Sequence, residues 1–291
     1  MPLNTRTPHY ARRSSRRTAG LSLLLATSLS LTGCLNPVSS ALFQPQPLGS
    51  RPLAWAQRAP TAVVARTSDG LELTGWYWPP ATATSDVLLY LPGRAGNRDT
   101  AAQQAEPFAA DGRGVLVASY RGYGDNPGKP DEKGLYLDGD AFANLVRTLH
   151  PAGRLYLFGD GLGSAVALRL AIRPEVSGTA TLGAFDRFAR FAPAATRAVY
   201  ADAFDNVAAI SQVKTPVLIL HGRKDQVVPY AAAETLQRAA GGLAVLAPIA
   251  GDAYHTVDMR YVAPTVWRAF DEMGRMPTLQ RSGSVSATLR K

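Results

Sequence analysis

Four short apolar runs, each leading into a loop that contains glycine, constrain this chain more than any other feature. Val87-Leu88-Leu89-Tyr90-Leu91, Gly114-Val115-Leu116-Val117-Ala118, Arg154-Leu155-Tyr156-Leu157-Phe158 and Pro216-Val217-Leu218-Ile219-Leu220 show no polar alternation. Such runs need cover on both faces, which strands of a parallel sheet have. Helices are expected between and after them, over roughly 98–111, 134–149, 162–172, 230–239 and 261–272. The second carries Leu135, Phe142, Leu145, Val146 and Leu149 at helical spacing. Leu243 to Ile249 reads as a last strand. Thr61–Arg66 and Leu71–Trp78, rich in β-branched and aromatic residues, flank the turn Ser68-Asp69-Gly70 and read as an antiparallel hairpin. The fold class is therefore α/β: a mostly parallel, doubly wound sheet that begins with a hairpin. In such sheets the informative loops lie beyond the carboxyl ends of the strands.

The 291 residues are 46% hydrophobic and 18% charged, enough apolar side chain for a large core and too much for a disordered chain. The single cysteine, Cys34, excludes a disulfide framework. His9, His150, His221 and His255 are scattered, at no spacing that binds zinc, so no metal and no cofactor are expected. The net charge of +9 is unevenly placed. Arg6, Arg12, Arg13, Arg16 and Arg17 precede position 34, and no acidic residue does. The remainder carries 26 basic against 22 acidic residues, so the charge does not argue for a nucleic-acid partner.

The N-terminal segment reads as an address. Arg12-Arg13-Ser14-Ser15-Arg16-Arg17 precedes an apolar run from Leu21 to Leu31, too short to span a bilayer comfortably, which ends in Leu31-Thr32-Gly33-Cys34. Residues 1–33 resemble a bacterial lipoprotein signal peptide. That resemblance implies that Cys34 is acylated and becomes the first residue of the mature chain. Several acyl chains on it would tether the domain to a membrane, where one alone holds only marginally. An ordinary secretory signal, or an anchor beside a chance cysteine, is the competing reading. Leu35 rather than aspartate after the cysteine is similar to the outer-membrane pattern of bacteria with two membranes, so the expected location is the cell envelope. Residues 34–60, with Asn36-Pro37 and Gln44-Pro45-Gln46-Pro47, are expected to form a flexible, extended linker. Residues 61–272 form the folded domain and 273–291 a C-terminal tail.

The loops carry the chemistry. They are Leu91-Pro92-Gly93-Arg94-Ala95-Gly96-Asn97, Tyr120-Arg121-Gly122-Tyr123-Gly124, Phe158-Gly159-Asp160-Gly161-Leu162-Gly163-Ser164 and His221-Gly222-Arg223-Lys224-Asp225. Gly251-Asp252-Ala253-Tyr254-His255 follows them. As an ordered set they resemble the α/β-hydrolase superfamily, and within it the serine-aminopeptidase-like serine hydrolases, over about residues 61 to 272. The resemblance implies that the backbone amides of Arg94 and Leu162 form an oxyanion hole. It puts Asp225 and His255 in the acid and base positions. The third loop becomes the nucleophile elbow of pattern G-x-S-x-G.

The elbow departs from that pattern at its central residue: Gly161 stands where the serine belongs. Glycine has no side chain, so no acyl-enzyme can form there. Three substitutes are open. Ser164 lies almost one helical turn on; Asp160 would need a shifted elbow; and His255, held by Asp225, could activate water directly. Other residues have plainer readings. His221 packs under its turn, Arg121 pairs with a carboxylate, and Lys129 and Asp131 are solvated. Trp76, Tyr77 and Trp78 are core and strand. Asp138 and Asp140 serve as capping or surface charge. About 40 residues between the elbow helix and Pro216 leave room for at most a small cap. The functional expectation is a membrane-tethered protein, degenerate at the elbow, that binds a small acyl or peptide ligand without being acylated. The alternative is an active hydrolase of ester or amide bonds.

Overall fold

The computed structural model describes residues 42–51, 53–83, 85–191, 194, 197–200, 203–249 and 257–275. The proposed signal, Cys34, residue 255 and nearly all of the expected tail lie outside the described residues. Eight strands form the main sheet: β2 (Thr61–Arg66), β3 (Glu72–Trp78), β4 (Val87–Leu91), β6 (Gly114–Val117), β7 (Leu155–Asp160), β8 (Val176–Leu182), β9 (Val217–Gly222) and β10 (Ala244–Ile249). Their order is β10-β9-β8-β7-β4-β6-β3-β2. Only β3 runs antiparallel to its neighbours; the other pairings are parallel. Every residue of β4, β7 and β9 is buried, as unbroken apolar runs in the sheet centre require. Edge strand β2 is mostly exposed.

Two layers of helix cover the sheet. Side chains alternate faces along a strand. Tyr156 and Phe158 of β7 therefore face α6 (Met259–Arg275) and the end of α1 (Arg98–Ala105): Tyr156 stacks on Phe270 of α6 at 4.3 Å, and Phe158 lies 4.8 Å from Phe108, just past α1. Gly159 faces the other way, onto α3 (Gly163–Leu170). There α3 meets α2 (Glu132–Leu149) so closely that a Cβ on Gly139 would stand 2.4 Å from Val166 Cγ1. Two further helices, α4 (Asn206–Ser211) and α5 (Tyr230–Ala239), precede β9 and β10.

The winding positions the site. From β4 the chain steps to β6 on one side, then crosses to β7 on the other and continues outward to β8, β9 and β10. The strand order reverses between β4 and β7, so their carboxyl ends open onto a crevice, the usual ligand position in such sheets.

Three expectations are corrected. First, Val176-Ser-Gly-Thr-Ala-Thr-Leu is a full central strand, although no apolar run marks it. Burial comes from its seat between β7 and β9, and the Thr179 and Thr181 hydroxyls are buried with no hydrogen-bond partner among the described residues. The small cap is thereby reduced to residues 183–205, with 3₁₀ turns at Phe188–Phe191 and Arg197–Tyr200. Second, the helix expected over 98–111 ends at Ala105. Pro107 opens a 3₁₀ segment, Glu106–Gly112, broken at Asp111 (φ +58°).

Third, residues 42–60 do not behave as a free linker. Gln44–Pro45 (β1) pairs in parallel with Ala95–Gly96 (β5), and Phe43 is buried. Trp55 meets Trp76 and Trp78 edge-on, and Trp78 Nε1 donates to the Arg58 carbonyl at 2.7 Å. Proline and glutamine made this stretch extended, but an extended backbone also offers unpaired amides, which the loop after β4 satisfies.

Candidate active site

The loop between β7 and α3 is a sharp strand-to-helix turn. Gly161 at its tip has φ +49°, in the left-handed region that costs a side-chain-bearing residue energy. Its amide donates to the Leu182 carbonyl of β8 at 2.8 Å, and its carbonyl accepts from Ser164 N at 3.1 Å. The flanking glycines are required by space. A Cβ on Gly163 would stand 2.0 Å from the Leu91 carbonyl oxygen, and one on Gly159 2.5 Å from Ser164 Cα. The pattern is therefore met at both small positions and empty of a side chain at the centre. Because the tip is residue 161, Asp160 stays in the strand and points beneath it.

The loop after β4 lies against this turn: a Cβ on Gly93 would be 3.5 Å from the Asp160 carbonyl oxygen. The next residue, Arg94, has its carbonyl held from two sides, by the Tyr123 hydroxyl at 2.7 Å and the Gln44 amide at 2.8 Å. Leu162 is buried at the N-cap of α3, where helix amides have no acceptor within the helix. Ser164 is fully buried and its Oγ donates to the Gly159 carbonyl at 2.9 Å, so this hydroxyl is committed to the strand below the turn.

Asp160 is the group that sequence reasoning undervalued. Its Oδ2 accepts from the Tyr90 hydroxyl at 3.4 Å, while Oδ1 is buried with no hydrogen-bond partner among the described residues. Burial pushes its carboxyl from the ordinary 3.8 up to about 7, and the Tyr90 hydrogen bond only partly offsets this. The signal was present: an acid closing an otherwise apolar strand.

Asp225 sits in the turn after β9. Its Oδ1 accepts from the amides of Val227 (2.8 Å) and Val228 (2.9 Å). Oδ2 is buried and has no hydrogen-bond partner among the described residues. His221 Nε2 is 3.9 Å from that oxygen but bonds the Val228 carbonyl at 2.8 Å, so His221 packs under the turn. Residue 255 falls between β10 and α6, outside the described residues. The structure thus lays the loop after β4, at Gly93, against the turn that carries Gly161 and Leu162, and seats Asp225 just past the carboxyl end of β9; residue 255 is outside the described residues.

Arg121 supports the loop that carries Tyr123. It bonds Asp138 through N (2.9 Å) and Nε (2.8 Å), and Asp69 of the hairpin turn through both terminal nitrogens (2.8 and 3.1 Å). The guanidinium holds the Asp69 carboxyl down at about 2, whereas burial raises that of Asp138 despite the same partner. Asp138 is thus a fully buried ion-pair member, not surface charge, and Asp131 caps α2 through Gly134 N at 2.6 Å. Among the described residues no group of three His, Cys, Asp or Glu could hold a metal, and no helix is long and apolar enough to cross a membrane.

The alpha/beta hydrolase fold family model matches residues 86–209. An uncharacterized protein of Mycobacterium tuberculosis is 34% identical over 187 residues, covering 61% of this chain and 66% of the relative. The human alpha/beta hydrolase domain-containing protein 17C is 36% identical over 119 residues, 40% of this chain and 36% of that protein. The chain therefore spans just under two thirds of the mycobacterial relative and about a third of the human one. Among solved structures, Est1E from Butyrivibrio proteoclasticus with ferulic acid bound superposes with a TM-score of 0.65 at 18% identity, over 74% of this chain and 100% of that one. The Pyrococcus furiosus esterase Pf2001 gives 0.61 at 16% identity, over 83% and 98%. These likenesses show the fold.

Proposed function

We propose that this chain is a member of the α/β-hydrolase superfamily that binds an acyl or peptide ligand without forming an acyl-enzyme, tethered to the cell envelope through an acylated Cys34. The observation that carries the reading is the bare tip of the elbow. Gly161 has the left-handed backbone and the tightly packed neighbours of a nucleophile turn, and no atom to attack with. The Ser164 hydroxyl, bonded to Gly159 and fully buried, does not replace it. A fluorophosphonate probe should leave the wild-type protein unlabelled; stable labelling at any residue of the crevice would end this reading. Gly161→Ser should acquire labelling if Asp225 and His255 stand as acid and base. For the tether, a clickable fatty acid fed to the producing cells should label wild type and not Cys34→Ala.

One observation favours a second reading, hydrolysis by His255-activated water. The buried Asp225 Oδ2, without a partner among the described residues, is the acceptor that such a histidine needs. An oxyanion hole and binding alone can retain ~10³–10⁴-fold acceleration over water. Slow 4-nitrophenyl acetate hydrolysis that disappears in both Asp225→Asn and His255→Ala would support it.

A further inference from the structure

The segment Leu42–Pro47 runs as a strap along the loop after β4. Its backbone is held on the oxyanion-loop side: Gln44 N donates to the Arg94 carbonyl and Gln46 N to the Gly96 carbonyl, both at 2.8 Å. Gly124 N and Asn97 Nδ2 donate to the carbonyls of Gln46 and Pro47. The side chains of Gln44, Pro45, Gln46 and Pro47 are exposed. Phe43 is the one buried side chain that the strap contributes, and its ring stands 6.5 Å edge-on from Phe204.

Phe204 is the centre of an aromatic chamber. Tyr136, Phe185 and Phe188 meet it edge-on at 5.8, 6.4 and 6.3 Å. Its φ of +46° puts a bulky residue in the left-handed region, and the backbone is pinned there by Glu132 Oε1, which accepts its amide at 2.7 Å. Strain of this kind persists where the surroundings over-determine it, and it collects at ligand clamps. Phe185 lies three residues past Leu182, the acceptor of the Gly161 amide. Phe43 therefore links the Arg94 loop, through the backbone pairing of its neighbour Gln44, to the ring of Phe204.

We propose that Phe43 is an intramolecular plug. The chamber of Tyr136, Phe185, Phe188 and Phe204 is a ligand pocket, and an apolar acyl chain enters it by displacing Phe43 and lifting the strap. This rests on the binding-protein reading above and adds to it the pocket and the cost of entry. An apolar ring in an aromatic chamber and an apolar chain compete for the same surface. The strap is held there by a two-residue strand pairing, which can open locally without unfolding the sheet. A ligand that needs the open form binds more weakly by the fraction of molecules that are open.

The full-length protein titrated with cis-parinaric acid, a fluorescent fatty acid, tests this. Phe43→Ala should bind the probe about tenfold more tightly than wild type, since the competitor is gone. Gln46→Pro keeps the ring but removes the donor to Gly96; it should tighten binding by a smaller factor, and it decides the matter if Phe43→Ala misfolds. Hydrogen exchange at the Gln44 and Gln46 amides of wild type should accelerate when the probe is bound. Equal affinity in wild type and the folded variants, absence of binding in all of them, or strap amides that stay protected in the probe-bound protein would each overturn the plug. Fluorophosphonate labelling is read independently of these results, so failure of the plug and failure of the non-acylating reading are distinguishable.

Discussion

Asp160→Asn tests whether a buried acid beneath the elbow governs stability. In the folded protein the carboxyl rests at about 7 because burial penalises its charge, against an ordinary 3.8. Between those values the folded state keeps a proton that the unfolded chain has released. Stability from this group is therefore fully present below about pH 4 and is lost as pH rises towards 7. Each pH unit in that window costs about 1.4 kcal/mol, so wild type should lose about 3 kcal/mol between pH 5 and pH 8 through this carboxyl alone. Asparagine does not titrate. It leaves a buried amide imperfectly bonded at every pH, a constant cost of about 1–3 kcal/mol. Wild type should therefore be the more stable of the two at pH 5, and the gap should close or invert by pH 8. Urea unfolding followed by tryptophan fluorescence at both pH values measures the change in the difference. Parallel behaviour of the two proteins would show that the carboxyl is ionised at neutral pH and solvated, contrary to its fully buried place beside Tyr90.

Three further outcomes follow from the geometry. Gly163→Ala should destabilise by more than about 3 kcal/mol or prevent folding, because its Cβ would meet the Leu91 oxygen at 2.0 Å; soluble expression and thermal melting report it. Arg121→Met should cost about 3–5 kcal/mol by leaving the fully buried Asp138 unpaired, whereas Asp69→Asn, at the more exposed end of the same network, should cost under about 1 kcal/mol; chemical denaturation compares them. In a Gly161→Ser background, adding Asp225→Asn should slow fluorophosphonate labelling about 10³–10⁴-fold with little loss of stability, and an unchanged rate would remove Asp225 from the acid position.

Much of this protein is legible in its sequence. Apolar runs such as Val87–Leu91 and Val217–Leu220 cannot be satisfied except inside a covered sheet, so strand identity and the α/β class followed from composition along the chain. The bare elbow was legible too, because Gly159, Gly161 and Gly163 are named by the sequence and their roles are steric. What the sequence could not supply was position in the third dimension. Val176–Leu182 has β-branched residues that suit a strand, Val176, Thr179 and Thr181, but no apolar run, and only its seat between β7 and β9 makes it a buried central one. Asp138 and Asp160 look alike as letters, yet one is paired to Arg121 and the other is buried against Tyr90 with an oxygen left over. Residues 42–47 have the composition of a linker, and only the carbonyls of Arg94 and Gly96 turn them into a strap. Local sequence determines which backbone shapes are cheap. Which groups lose water, and which partners they then find, is decided by segments far away in the chain, and burial and hydrogen bonding depend on those.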